Sequence, residues 1–499
     1  MSLAKELQRK IADPTTNPND RARLRSQLAR RMEETGDYEG ARRAMGELWT
    51  GVGARPMLEG LDQATTAEVL LRAGALTGWI GSVKQIDGAQ EIAKNLITES
   101  IAVFEELRDV KKVAEAQTDL GYCYWRAGAF DEARVWLREG LSHLTDEDGD
   151  LKAIALLRLA LVEKVAQRPN DALRLHMDAA HLFEVSTDDT LKGRFHNEFA
   201  QVLRILGTAE CRDDYIDRAL IEYAAASFHF ERAGHARYHA CVENNLGFLF
   251  HTIGKFSEAH QHLDRAQAIF TSLKDSVHIA QVDDTRARVM LTEGRASEAE
   301  RVARSAVQTL EKGGEQALLA EALTTHGIAL ARLGRHRQAR LTLQNAIEVA
   351  QQVGDAESAG RTALTVIELL GDQLSNDDLI ATYERAVNLV ADSKNLTTLS
   401  RLSTCARRVM FFAHMRPNPP NWTGFSFKRA VRRYEARLIE LALRDAGGIV
   451  TRAAHLLGFK HHHSLASILN KRHRNLLPQR SPVVPRKRSI ITVSDARRD

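Results

Sequence analysis

The hydrophobic pattern of the first 415 residues repeats. Three segments, HACVENNLGFLFHTIGKFSEAHQHLDRAQAIF, IAQVDDTRARVMLTEGRASEAERVARSAVQTL and LAEALTTHGIALARLGRHRQARLTLQNAIEVA, align without gaps at a spacing of 40 residues. Within each half of a segment the apolar positions recur every three or four residues, the spacing of an amphipathic helix. Gly254, Gly294 and Gly334 fall in step between the halves, followed by Ala259, Ala299 and Ala339 and then by Ala266, Ala306 and Ala346. The same register places Gly36, Gly81, Gly128 and Gly207 between helices, and Ala41, Ala93, Ala133, Ala172 and Ala219 in second helices. Nine units follow, starting near Ala22, Ala67, Ala114, Ala153, Gly193, Ala240, Ala280, Ala320 and Gly360. Each predicts a helix A, a turn and a helix B, with the glycine capping helix A and the alanines letting helix B approach closely. The units at Ala67 and Gly193 carry about seven extra residues, which the register places between their helices. Such a hairpin buries its apolar face only against its neighbours, so the array is expected to be an α-solenoid.

A different pattern follows. In YEARLIELALRDAGGIVTRAAHLLGFKHHHSLASILNKRHR the apolar residues Leu438, Ile439, Ala442 and Leu443 mark one helix, which Gly447-Gly448 ends. Thr451 is the expected N-cap of a second helix, Arg452 to Leu457, which Gly458 ends. Leu465, Ile468 and Leu469 form the apolar face of a third helix, whose other face carries His462, Ser467, Asn470, Lys471 and Arg474. Two short helices joined by a glycine turn, the second basic and polar, make a helix-turn-helix pattern. An ordinary helical hairpin packed on the solenoid is the alternative.

Both regions resemble known families. Leu246-Gly247 with Phe250, Gly254, Ala259 and Ala266 resembles the tetratricopeptide repeat, here in a longer-helix form than the family's usual 34-residue unit. The resemblance implies a superhelix with a concave groove lined by helix A. It places Asn197, Gln201, Arg204, Asn244, Phe248, His251, Asp284 and Arg288 on that groove. Mixed polar and aromatic residues suit a peptide, a protein or a small polar ligand, and a solvated helix face is the alternative for any one of them. GGIVTRAAHLLGF resembles the Fis-type helix-turn-helix found at the C-terminus of many sigma-54-dependent activators, and FKRAVRRYEARLIELAL resembles that family's long first helix, which pairs two subunits. One departure stands out: Ser464 occupies the place of the family's next core leucine and Leu465 follows, so the register of the recognition helix is open by one residue. The resemblance implies binding of double-stranded DNA as a homodimer. Thr451 and Arg452, and at the far end Lys471, Arg472 and Arg474, would meet phosphates. His461, His462, Ser464 and Ser467 would meet base edges, and Lys460, His463 and Asn470 complete the DNA-facing set.

Charge divides the chain at the same place. Residues 416–499 hold 18 Lys and Arg against 5 Asp and Glu, a net +13; the remainder holds 51 against 60, a net −9. A basic terminal segment points to a polyanion partner for that segment alone. Six of the ten prolines lie between Pro417 and Pro485, whereas none lies between Asn170 and Arg416, which permits uninterrupted helices there. Residues 411–427 are read as a proline- and aromatic-rich linker, and residues 478–499 as a basic, disordered tail whose Arg486-Lys487-Arg488 would lie along phosphates or in a minor groove, a merely solubilising tail being the alternative. Residues 1–21 would cap the array at 22–410, and residues 428–477 would form the DNA-binding domain.

Little catalytic chemistry is encoded. There is no GxxxxGK[ST], GxGxxG or HExxH, so no enzyme activity and no cofactor are expected. The missing phosphate loop also separates this chain from the sigma-54 activators, which carry an ATPase. Cys123, Cys211, Cys241 and Cys405 are scattered, which fits buried free thiols in a reducing compartment. His461, His462 and His463 point about 100° apart on a helix and cannot converge on one metal ion. No apolar run is long enough for a membrane span and the N-terminus lacks a secretory core, so a cytoplasmic, bacterial-type protein, nucleoid-associated when bound, is expected. The sequence therefore reads as an all-α DNA-binding transcriptional regulator with a ligand-sensing array. The alternative is a scaffold or adaptor that binds proteins but not DNA.

Overall fold

The structure is a computed structural model that describes residues 3–34, 36–84, 86–313, 316–393, 395–415 and 426–479. It divides into two compact units, 1–413 and 414–499. The described residues are helical, with no strand among them.

The first unit is an all-α, tetratricopeptide-like solenoid. Helix α1 (Leu3–Ala12) precedes nine hairpins. They are α2–α3 (Pro18–Glu34, Tyr38–Met45), α4–α5 (Gln63–Val83, Ala89–Glu106), α6–α7 (Val110–Arg126, Phe130–Ser142), α8–α9 (Gly149–Val165, Pro169–Val185) and α10–α11 (Asp189–Glu210, Asp213–Arg232). The remaining four are α12–α13 (Ala236–Thr252, Phe256–Ser272), α14–α15 (Ser276–Thr292, Ala296–Gly313), α16–α17 (Gln316–Arg332, His336–Gln352) and α18–α19 (Ala356–Leu370, Asn376–Leu389). A last helix, α20 (Leu396–Met415), packs beyond them. The hairpins start where the 40-residue register puts them.

Packing within a hairpin rests on small residues of helix A facing larger ones of helix B. A Cβ on Gly247 would lie 2.7 Å from Leu263, one on Gly327 2.6 Å from Leu343, and one on Gly121 2.8 Å from Leu137. In the seventh hairpin the equivalent pair is Ala287 and Ala303, both fully buried in one cluster. Two alanines therefore replace the glycine–leucine pair there, so close approach is reached with small residues on both helices. Aspartates start several first helices: the carboxylates of Asp62, Asp109, Asp275 and Asp355 each accept from a backbone N–H three residues on.

Three expectations are corrected. Gly81 and Gly207 do not sit in turns but inside α4 and α10, helices of 21 and 22 residues where most first helices have 17. The extra residues lengthen helix A, and these glycines admit Ala89 and Ile216 of helix B. The left-handed turn positions fall later, on Gly88 (φ 73°) and Cys211 (φ 54°). Cys211 is consequently exposed rather than buried, while Cys123 and Cys405 are buried and all four thiols are free. Third, the segment read as a linker begins inside α20, which runs through Phe411 to Met415. Arginines hold that helix on α18–α19: Arg401 pairs with Glu368 at 2.7 Å. Residues 416–425 and 480–499, with Arg486-Lys487-Arg488, lie outside the described residues.

The second unit contains α21 (Phe427–Asp445), α22 (Val450–Leu456), α23 (His462–Arg472) and a closing 3-10 turn at Arg474–Gln479. Its core is Ile439, Ala442, Leu443, Ala453, Ala454, Leu465, Leu469 and Leu476, with Ala446.

Candidate functional site

Each of the two units carries a candidate site. In the solenoid, Arg204, Asn244, Phe248, His251, Asp284 and Arg288 line one cleft of about 850 Å³. Asn197 faces a separate cavity of about 150 Å³. Gln201 lines neither; its side-chain oxygen accepts from Lys164 Nζ at 3.0 Å. The cleft also runs further along the array than the eight residues chosen from sequence, to Glu321, Thr325, Arg361 and Arg401. The signal for these was present. Gln281, Glu321, Arg361 and Arg401 are one 40-residue step apart, and so are Thr285, Thr325 and Thr365.

Arg288 organises the middle of the cleft. Its Nη2 lies 2.7 Å from Asp284 Oδ2 and 2.9 Å from Glu321 Oε2, and its Nε donates to Thr325 Oγ1 at 3.2 Å. Burial disfavours its charge, but Asp284 and Glu321 outweigh that and hold it firmly protonated. Burial pushes the Asp284 carboxyl above the usual carboxylate range despite the pull of Arg288. The other oxygen of Asp284, the side-chain oxygen of Asn244 and Nδ1 of His251 are buried without a hydrogen-bond partner among the described residues. Such atoms cost free energy until a donor reaches them. The Arg204 guanidinium lies 4.9 Å from the Phe248 ring centroid.

In the second unit the glycine turn is tight. Gly447 and Gly448 both take positive φ (60° and 77°), and the Gly448 N–H donates to Leu443 O at 2.7 Å. Helix α22 therefore starts two residues before the sequence-based limit, capped by Ile449, and Thr451 lies inside it rather than at its cap. Five residues separate α22 from α23, with Gly458 again left-handed. His461 is the N-cap of α23. Leu465 takes the fully buried position and Ser464 is exposed, which resolves the one-residue ambiguity in favour of the longer turn.

All twelve residues assigned to DNA from sequence are exposed: Thr451, Arg452, Lys460, His461, His462, His463, Ser464, Ser467, Asn470, Lys471, Arg472 and Arg474. Arg472 and Arg474 are partly engaged. Arg472 Nη1 lies 3.3 Å from Glu435 Oε1, and Arg474 Nε donates to Asn470 O at 2.8 Å. His473, which the sequence reading passed over, is buried and meets Glu435 Oε2 at 3.1 Å, tying the end of α23 to α21. Helix α21 carries a second surface. Phe427, Val431, Tyr434, Leu438 and Leu441 are exposed at alternating steps of four and three residues, a heptad seam.

No protein-family model matches the sequence, and no curated protein matches it. Among solved structures, the chain is similar to a Rap protein complexed with competence and sporulation factor (TM-score 0.47, 15% identity, 68% of this chain and 98% of that one). It is similar to yeast Tom70 (TM-score 0.47, 13% identity, 81% and 84%). It is also similar to a signal transduction ATPase with numerous domains from Pyrococcus horikoshii, which has a tetratricopeptide repeat sensor (TM-score 0.41, 12% identity, 81% and 67%). No helix among the described residues is long and apolar enough to cross a membrane.

Proposed function

We propose that the chain is a DNA-binding transcriptional regulator of bacterial type, cytoplasmic and without enzymatic activity, whose solenoid senses a peptide or protein. The observation that carries this reading is the sorting of α22 and α23. Every residue assigned to DNA is solvent-facing, five of them Lys or Arg, while Ala453, Ala454, Leu465 and Leu469 between them fill the core. A Fis-type unit would place the exposed N-terminal half of α23 in the major groove and use the cations at its end for phosphates.

The heptad seam of α21 supports pairing of two copies through that helix. A symmetric pair sets its two recognition helices about one DNA turn, roughly 34 Å, apart. In the solenoid, acceptors left open at Asn244 and Asp284 suit the N–H groups of an extended peptide. The test is selection of bound sequences from random DNA with the full-length protein. Enrichment of a two-fold symmetric site supports the reading. Failure to retain any DNA at low salt rejects it and leaves a protein-binding scaffold.

A further inference from the structure

The cavity that Asn197 faces is distinct from the main cleft and lies among the second to sixth hairpins. Trp79, Tyr122, Arg158, Arg194, Phe230 and Tyr238 are its principal walls. A smaller neighbouring space of about 70 Å³ shares Trp79, Arg158, Arg194 and Tyr238. The aromatic side is held in place by stacking. The Trp79 and Tyr122 ring centroids are 5.3 Å apart, Tyr38 stacks on Trp79 at 4.9 Å, and the Arg126 guanidinium lies 3.4 Å over the Trp79 ring.

Of the three charged residues that line this cavity, two are paired. Arg158 is bonded to Asp119 and Glu198 to Lys164. Arg194 faces the cavity and has no hydrogen bond or ion pair to its guanidinium among the described residues. Arg194 is half-buried, and an anion that fills its fork supplies the bonded counter-ion it lacks. The guanidinium plane matches a carboxylate in two parallel hydrogen bonds. The aromatic walls favour a flat apolar body attached to that carboxylate over inorganic phosphate. The size admits one ring and excludes a peptide, since sites for larger ligands run to several hundred Å³.

We propose that this cavity binds a small single-ring aromatic carboxylate, with the carboxylate on Arg194 and the ring against the edges of Trp79 and Tyr122 and beside Tyr238. Because the walls come from successive hairpins, the bound ligand braces the curvature of the solenoid. The site is independent of the DNA-binding reading, and either stands if the other fails.

The test is calorimetric titration of the full-length protein with benzoate, 4-hydroxybenzoate and phenylacetate, with benzamide and acetate as controls. At least one aromatic acid is expected to bind once per chain and to quench tryptophan fluorescence through Trp79. Benzamide and acetate should bind about tenfold more weakly or worse, and R194M should lose about tenfold or more in affinity. R288M, in the other cleft, should bind like the parent. Should R194M not fold, R194K keeps the charge without the fork and should also bind more weakly. The proposal is overturned if none of the three acids binds, if benzamide binds as well as benzoate, or if a folded Arg194 variant keeps full affinity.

Discussion

Asn395, just before α20, donates a hydrogen bond from Nδ2 to the side-chain oxygen of Gln167 at 3.2 Å, 228 residues earlier in the chain. Gln167 is the left-handed residue (φ 58°) of the turn between α8 and α9. Tyr38 of the first hairpin and Tyr238 of the sixth likewise line one cavity. Both relationships join parts of the array about five hairpins apart, so the solenoid closes a superhelical turn on itself over that distance.

That closure predicts a local effect. Asn395 also caps α20, its Oδ1 accepting from Thr397 and Thr398 N–H. Serine keeps the capping and is too short to reach Gln167. Asn395→Ser should therefore leave α20 intact and cost about 1 kcal/mol at the contact. Amide exchange at residues 166–168 should quicken while the middle hairpins keep their protection. Unchanged exchange there would show that the contact carries no free energy.

The close approach of helix B to helix A predicts a packing penalty. Gly247→Ala puts a methyl 2.7 Å from the buried Leu263. Overpacking costs about 1–3 kcal/mol, whereas alanine gains about 1 kcal/mol of helix propensity. A net loss of stability is expected, and the double change Gly247→Ala with Leu263→Ala, which copies the Ala287–Ala303 arrangement, should lose less than the sum of its parts. Thermal unfolding of the three variants measures it.

The number of hairpins was legible because the 40-residue period carries it. Their lengths were not. Gly81 and Gly207 fall in the register of turn glycines, yet they are packing glycines of longer helices, and only the true turn residues Gly88 and Cys211 reveal the shift. The main cleft was half legible: the helix-A register finds Asn244 and Asp284, and stepping it on by 40 finds Thr324, whereas Glu321 and Arg361 belong to a neighbouring register that begins at Gln281. The aromatic cavity was not legible at all. Tyr38, Trp79, Tyr122 and Tyr238 share no repeat position, and only the superhelical closure gathers them. In the second unit, the buried Leu465 and exposed Ser464 decided a register that one sequence left open.

A buried histidine predicts a pH effect. His176 stacks on Phe199 at 5.3 Å, its Nε2 has no hydrogen-bond partner among the described residues, and burial pulls its pKa down to about 4. The unfolded imidazole takes up a proton below about pH 6.5, and the folded one only near 4. Its contribution to stability is thus lost as pH falls through that window, by up to about 3 kcal/mol. His176→Phe keeps the stacking and removes the titration. The variant should be at least as stable as the parent at pH 7, and its advantage should widen between pH 6.5 and 4.5. Parallel stability curves for the two proteins would contradict this.

The seam of α21 predicts the oligomeric state. Leu438 is buried on neither face of its own unit, at 40% exposed, and lies between Tyr434 and Leu441 on the stripe. Leu438→Lys puts a charge at the centre of a paired seam and should convert a dimer to a monomer in sedimentation of the full-length protein, while thermal unfolding of the solenoid is unchanged. A parent protein that sediments as a monomer at tens of micromolar, with and without DNA, would remove the pairing role of α21.

The last prediction separates reading from positioning on α23. His462 is exposed in the first turn of the helix, where a recognition helix meets base edges, and it makes no ion pair among the described residues. Arg472 is exposed at the far end, where its charge is shared with Glu435 at 3.3 Å. His462→Ala should cost about 1–3 kcal/mol on the selected site and little on random DNA. Arg472→Ala should weaken both and lower the salt slope by about one unit. Because Arg472 also contacts Glu435, its loss could act through the fold, and Glu435→Gln distinguishes the two cases. That change weakens the Arg472 contact and the His473 contact together, leaves every Lys and Arg in place, and removes one negative charge. It should tighten binding to all DNA if Arg472 meets a phosphate, and loosen it if the pair only props α23. Equal effects of His462→Ala and Arg472→Ala on specific and non-specific DNA would dissolve the distinction between the two ends of the helix. No effect from either would end the DNA-binding reading.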